Sequence, residues 1–277
     1  MNNIPHKIIV STNDDPEFFN LWEICYKSWK AFFPEVDVIL NFVTSRTEDN
    51  EIVQHLKQWG TVNLYPEIDG IPTPNLAKVS RMIESSKHGN NICMVNDIDI
   101  IPLQREYVEN RMLYFKPDQI LGIGKFSESF MQFKFPMSYT TATGDVWKLV
   151  VNPHDLRYED LVKSWIGLSK FDNQESITNR PSTEFNLGGF SDESLLRNLH
   201  SQVSGILNQI ERGYDRYTEG VDRGAWHVLN REKLFNGEYI DSHLIRPLSK
   251  NIDKIQPLID YIVYVANTQG YNEHSKK

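Results

Sequence analysis

The residues best suited to chemistry are Asp97 and Asp99, which follow the apolar run Ile92-Cys93-Met94-Val95 and Asn96. A run without alternation suits a strand buried on both faces. On extended backbone, residues two apart point to the same side. Pro102 has no N–H and discourages continuation of the ladder. The reading is therefore of two acids presented together at the carboxyl end of a buried strand, where ligands bind in open α/β sheets. Left alone they would repel and lose hydration, unless a cation lies between them or water reaches them. An oxygen-only pair at a partly open site suits Mg²⁺ or Mn²⁺, with positions left for phosphate oxygens. The competing reading is an exposed acidic turn, because Asp-x-Asp is common. The apolar run in front and the mid-chain position favour the metal.

Two further clusters carry suitable groups. In Phe185-Asn186-Leu187-Gly188-Gly189-Phe190-Ser191-Asp192-Glu193, Ser191 is a fair N-cap and the acids suit a first helical turn. That reading alone accounts for Asp192 and Glu193. The functional alternative is that Gly188 and Gly189 let backbone approach a ligand while a carboxylate faces the reaction centre. In Tyr239-Ile240-Asp241-Ser242-His243-Leu244-Ile245-Arg246-Pro247, His243 could join a metal bound by Asp97 and Asp99, with His227 as the other candidate. Either could equally be an ordinary surface or core histidine. Arg246 could pair with a diphosphate, since guanidinium matches phosphate oxygens.

These groups need a frame, and the patterning supplies one. Lys7–Thr12 reads as a buried strand that Asn13-Asp14-Asp15-Pro16 breaks. Apolar residues at helical spacing predict one helix over Glu17–Phe33, stopped by Pro34. Strand Val36–Val43, helix Glu51–Trp59 (closed by Gly60) and strand Thr61–Tyr65 follow. Thr73-Pro74 reads as an N-cap with proline at the first helical position, opening a helix to about His88. Lys78 and Arg81, three apart, share a face of it. Alternating strands and helices predict a parallel sheet with right-handed crossovers.

Beyond Pro102 the expectations are a short helix over Gln104–Arg111, a strand over Ile120–Lys125, and a strand within Tyr139–Val151 turning at Gly144-Asp145. Residues 130–138, rich in Phe and Met, read as a core plug or as a segment facing an acceptor. Helices are expected over Asp155–Leu168, Ser191–Glu211 and Asp253–Ala266, with a polar tail after them.

The bulk numbers narrow the class. At 277 residues the chain can bury a full core, and 40% hydrophobic with 24% charged residues is ordinary for a soluble globule. A formal charge of −8 argues against nucleic acid as partner, while leaving room for a local basic groove. Cys25 and Cys93 both lie in apolar segments and read as reduced core thiols. No signal peptide or membrane-spanning run is evident, so a cytoplasmic protein is expected, with peripheral membrane association left open.

In order along the chain, these motifs resemble the GT-A fold of nucleotide-sugar glycosyltransferases. The resemblance rests on the first strand and its helix, the helix with Lys78 and Arg81, the run Met94-Val95-Asn96-Asp97-Ile98-Asp99-Ile100-Ile101, Gly188-Gly189 before Asp192-Glu193, and a late histidine, His243 or His227. It spans about residues 7 to 247 without placing the chain in a subfamily. It implies a GT-A-like (Rossmann-like), mostly parallel α/β sheet flanked by helices. Residues 1–250 would form one catalytic domain, with a nucleotide-binding half to about 103 and an acceptor half to 250, and 251–277 a helical extension.

The resemblance also implies a function: sugar transfer from a UDP- or GDP-linked donor to a hydroxyl of a glycan or glycoconjugate. Asp99, with Asp97 directly or through water, would hold Mn²⁺ or Mg²⁺ against the diphosphate. Thr12 and Asn13 would lie near base or ribose, Lys78 and Arg81 near base or phosphates. An inverting enzyme would use Asp192, or next Glu193, as base; a retaining one would use them to hold the donor sugar. Three rivals stand beside this. A haloacid-dehalogenase-type phosphohydrolase would carry its Asp-x-Asp on the first strand, with Thr or Val where Ile101 stands. A sugar-nucleotide pyrophosphorylase would have a glycine-rich loop in place of Ser11-Thr12-Asn13-Asp14. A non-catalytic carbohydrate-binding protein would need neither acid.

Overall fold

The computed structural model describes residues 4–123, 137–169, 192–200, 203, 205–210 and 218–268. Strands β1 (Lys7–Asn13), β2 (Asp37–Val43), β3 (Thr61–Tyr65) and β4 (Ile92–Val95) pair in parallel in the order β3-β2-β1-β4. Unbroken apolar stretches become strands covered on both faces, and Ile8, Ile9, Val10, Cys93, Met94 and Val95 are fully buried. Beyond β4 lie β7 (Thr140–Thr143), antiparallel to it, then β6 (Ile120–Ile123) and β8 (Leu207–Ile210), giving a seven-stranded, mostly parallel sheet. A two-stranded ribbon, β5 (Ile100–Pro102) with β9 (Asp241–His243), stands beside it.

Helices cover both faces. On one side α2 (Trp22–Phe32) and α10 (Ile252–Thr268) pack together, with Trp22, Trp29, Phe33 and Leu258 in the core. On the other lies α4 (Thr73–Ser85), joined by α6 (Gly144–Val151), α7 (Tyr158–Ser169) and α8 (Asp192–His200). The remaining helices are α1 (Pro16–Phe19), α3 (Glu51–Leu56), α5 (Arg105–Met112) and α9 (Arg231–Phe235). Both cysteines are free and buried, and burial pushes the Cys93 thiol up to about 12. No helix among the described residues is long and apolar enough to cross a membrane.

Several elements differ from expectation, each for a local reason. The helix expected over 17–33 is two pieces: Asp15 caps α1 by accepting from Glu17 N, and a turn at Asn20-Leu21 precedes α2. Thr73 is the first residue of α4 and not its cap; its hydroxyl instead accepts from Asn13 Nδ2 at 3.0 Å. Pro102 does sit in a ladder, because a two-stranded ribbon leaves its nitrogen side unpaired. The expected long helix over 191–211 ends at His200; Gly205, at φ +80, precedes the edge strand β8. The turn expected at Gly144-Asp145 is the start of α6, where Thr143 Oγ1 accepts from Val146 N. Residues 130–136 and the Gly188-Gly189 pair lie outside the described residues.

Gly144 is a close-approach glycine. A Cβ there would stand 2.6–2.7 Å from backbone atoms of His88 and Gly89. Backbone cannot yield as a flexible side chain can, so Gly144→Ala should destabilise the fold by about 1–3 kcal/mol, read by chemical denaturation. Near the end of α4, burial pushes the Glu84 carboxyl up, but hydrogen bonds from His88, Tyr65 and Lys87 outweigh it and hold it down at about 2. A depressed carboxyl stabilises above its unfolded pKa, and the effect disappears as pH falls through the folded value. Wild type should therefore lose stability relative to Glu84→Gln as pH falls from about 4.5 to about 2, measured by thermal melts across that window.

Candidate active site

The Asp-x-Asp segment is not extended. Strand β4 ends at Val95, and Asn96–Asp99 forms a turn in which Ile100 N donates to Asp97 O at 3.1 Å. Asn96 fastens this turn: its Nδ2 donates to Ile100 O at 2.6 Å, and its Oδ1 accepts from Tyr139 N at 3.3 Å. The expected same-side placement of the two acids on one strand therefore does not hold. The turn sends them to different partners while leaving both on one cleft.

Asp97 pairs with Arg81, Nη1 to Oδ1 at 2.7 Å. Arg81 is only 3% exposed and reaches three groups: Asp97, the Asn96 carbonyl at 2.7 Å, and Asp192 through Nη2. Burial works against its charge, but Asp97 and Asp192 more than offset that, raising its pKa above the ordinary value. Arg81, expected near base or phosphates, thus has both terminal nitrogens on protein oxygens. Asp192, the first choice as base, is 4% exposed and held by Arg81 at the start of α8. Its neighbour Glu193 lines the cleft instead.

Asp99 is 3% exposed. Its Oδ2 faces Arg223 Nη2, Arg246 Nε at 3.5 Å and His243 Nε2 at 3.6 Å. Burial pushes the Asp99 carboxyl up; its hydrogen bond with His243 and the charges of His243, Arg223 and Arg246 outweigh this and hold it below the usual range. The β5–β9 ribbon makes the meeting possible, pairing Ile100 with His243 directly after Asp99. His243 Nδ1 lies 3.0 Å from Asp222 Oδ1. Arg246 also lies over the Phe18 ring, 4.1 Å from its centroid. Burial, then the like charge of Arg223, lowers the Arg246 pKa.

Thr12, Asn13, Lys78, Arg81, Asp97, Asp99, Glu193, Arg223, His243 and Arg246 all line one cleft of about 390 Å³. It opens at the carboxyl ends of β1 and β4, the side on which open α/β sheets bind ligands. His227 belongs to the 3-10 turn Arg223–Val228, and its side chain is outside the described residues. Sequence reasoning missed Asp222 and Arg223. The dipeptide carries no motif, and its relevance comes only from the bridge that sets Val221 beside Ser242.

Among the described residues, no three or more His, Cys, Asp or Glu side chains are already drawn together as a metal cage. The donor set nonetheless suits a divalent ion at Asp99 and His243. Asp99 Oδ2 and His243 Nε2 face one another at 3.6 Å, a carboxylate oxygen and an imidazole nitrogen of the kinds Mn²⁺ takes, with Asp222 at the other ring nitrogen.

No family model matches the chain, and no curated protein matches it. Solved structures do. The glycosyltransferase GlyE of Streptococcus pneumoniae TIGR4 aligns over 99% of this chain and 66% of its own, at 10% identity and TM-score 0.52. The galactosyltransferase LgtC, solved with donor and acceptor sugar analogs, aligns over 95% of both chains at 9% identity and TM-score 0.48. The mannosyltransferase PcManGT of Pyrobaculum calidifontis, solved with GDP-Man and Mn²⁺, aligns over 94% and 70% at 13% identity and TM-score 0.37.

Arg81 tests the electrostatic frame. Arg81→Met leaves the buried Asp192 carboxylate unpaired and should cost about 3–5 kcal/mol; adding Asp192→Leu should recover much of that, both read by denaturant unfolding. With its strand order, its flanking helices and the GlyE superposition taken together, the chain carries the GT-A glycosyltransferase fold.

Proposed function

We propose that this protein transfers a sugar from a nucleoside-diphosphate sugar, UDP- or GDP-linked, to a hydroxyl of a glycan or glycoconjugate, with Mn²⁺ or Mg²⁺. The observation that carries the reading is the convergence of acids, cations and a histidine from β1, α4, the Asn96–Asp99 turn, α8 and β9 on one cleft. Its volume of about 390 Å³ is within the range of small-molecule sites. The phosphohydrolase rival fits poorly, since its Asp-x-Asp would follow the first strand, whereas Asp97 and Asp99 follow β4.

In this reading Asp99 and His243, with Asp97 directly or through water, hold the ion, and Asp222 orients His243. When bound, the ion offsets charge on the leaving diphosphate as the sugar becomes oxocarbenium-like. Lys78 and Arg246 supply further positive charge for the diphosphate. Thr12 and Asn13, at the end of β1, hold base or ribose, and the Asn13–Thr73 hydrogen bond fixes that corner. Glu193 lines the cleft beside Asp97 and Asp99 and in this reading takes the acceptor proton or holds a sugar hydroxyl. Arg81 and Asp192 position the Asp97 turn against α8.

Calorimetric titration with UDP- and GDP-sugars, with and without Mn²⁺, tests this. Wild type should bind one of the two nucleotides in a metal-dependent way, and Asp99→Ala should lose at least a hundredfold in affinity, about 2.7 kcal/mol. Absence of any nucleotide-sugar binding under both conditions would refute the assignment.

A further inference from the structure

Arg223 holds an unusual position. Its guanidinium sits on Asp99 Oδ2, the same oxygen that faces His243 Nε2. Arg246 Nε faces that oxygen too, at 3.5 Å, but the Arg223 guanidinium is the closer one, and it and a divalent cation exclude one another there by charge and by space. Asp99 is buried, so its charge cannot be left to solvent and always needs a positive partner.

The three arginines of the cleft differ in what restrains them. Arg81 is buried between Asp97 and Asp192. Arg246 is held over Phe18, and its side chain is 20% exposed. The Arg223 side chain is 40% exposed, and Asp99 is the ion-pair partner it shows. Its backbone, by contrast, is anchored on both sides. Val221 N donates to Asp241 O at 3.0 Å, and His243 N donates to Val221 O at 2.8 Å. On the far side the indole of Trp226 donates to His243 O at 2.9 Å. A fixed backbone carrying a long, half-solvated cation allows the charge to swing by side-chain rotation alone. The neighbouring Asp222 meanwhile keeps His243 aimed at Asp99.

We propose that Arg223 is an exchange residue: it is the counter-ion of Asp99 until a divalent cation takes that oxygen, and it then turns to the donor's diphosphate in the same cleft. This rests on the metal-dependent reading above. Its consequence is coupling. The ion alone must displace a paired guanidinium, whereas the ion together with a diphosphate gives that guanidinium a new anion. By linkage, each ligand then tightens the other.

The experiment is calorimetric titration of Mn²⁺, with and without UDP and GDP, on the full chain and on Arg223→Gln and Arg223→Lys. In Arg223→Gln, Mn²⁺ alone should bind about tenfold tighter than to wild type, a change of about 1.4 kcal/mol. The nucleotide at saturating Mn²⁺ should bind about tenfold weaker, so the mutual enhancement seen in wild type shrinks. Arg223→Lys, which keeps the charge but loses the planar fork, should fall between. Equal or weaker Mn²⁺ binding in Arg223→Gln, with Mn²⁺ and nucleotide still bound by wild type, overturns the exchange role and leaves the transferase reading standing. Failure of wild type to bind Mn²⁺ and nucleotide in any combination overturns both.

Discussion

The structure around the cleft depends on one buried cation. Arg81 rises from the middle of α4 and joins a carbonyl, Asp97 and Asp192 across segments far apart in sequence. A guanidinium this deep is stable only if its charge and most of its donors are matched. Because it matches two carboxylates at once, it fixes the turn after β4 and the start of α8 relative to α4. Asp97 is thereby aimed, and Glu193, next to Asp192, is set on the cleft wall. Asp192, the first choice as base, is held by Arg81, and Glu193 beside it lines the cleft.

A second constraint is the turn at Asn96–Asp99. Had the strand continued, both acids would project from one face and would have to share one partner or repel. Breaking the strand separates their roles. Asp97 joins the buried network of Arg81, and Asp99 joins the cations of the ribbon side. The Asn96 amide binds Ile100 O and Tyr139 N, so the break is held from within and from β7's approach. The chain after the break starts β5 at once, and its pairing with β9 carries His243 to within 3.6 Å of Asp99.

Much of the frame was legible in the sequence because it follows from local pattern. Strands β1 to β3 and helix α4 start within a residue of where apolar runs and turn residues place them. The cleft's acids, His243, Arg246 and Lys78 were also readable, since few residue types suit that chemistry. What failed was set by tertiary contacts. Nothing local distinguishes Asp192 from Glu193; the Arg81 ion pair does. The strand expected within Tyr139–Val151 is β7, but the turn expected at Gly144-Asp145 is the start of α6, packed against Gly89, 55 residues away in sequence. Asp222 and Arg223 were invisible because their place depends on a single bridge between Val221 and Ser242.

Net charge misleads here in a way the cleft explains. The chain carries −8 overall, which argues against anionic partners in general. Yet Lys78, Arg81, Arg223 and Arg246 all line this one cleft. At physiological salt, charges more than about 8 Å apart are largely screened, so an anion at the mouth would respond to Lys78, Arg223 and Arg246 rather than to the distant acidic surface. Left bare, like charges this close would repel one another; at Arg246, burial first and then the like charge of Arg223 lower the pKa. The acids Asp97 and Asp99 relieve that repulsion, and Asp192 completes the neutralisation of Arg81 from below. A site of this kind has anions as internal place-holders for its cations, and a ligand rich in phosphate oxygens can take over that role at the residues free to turn toward it.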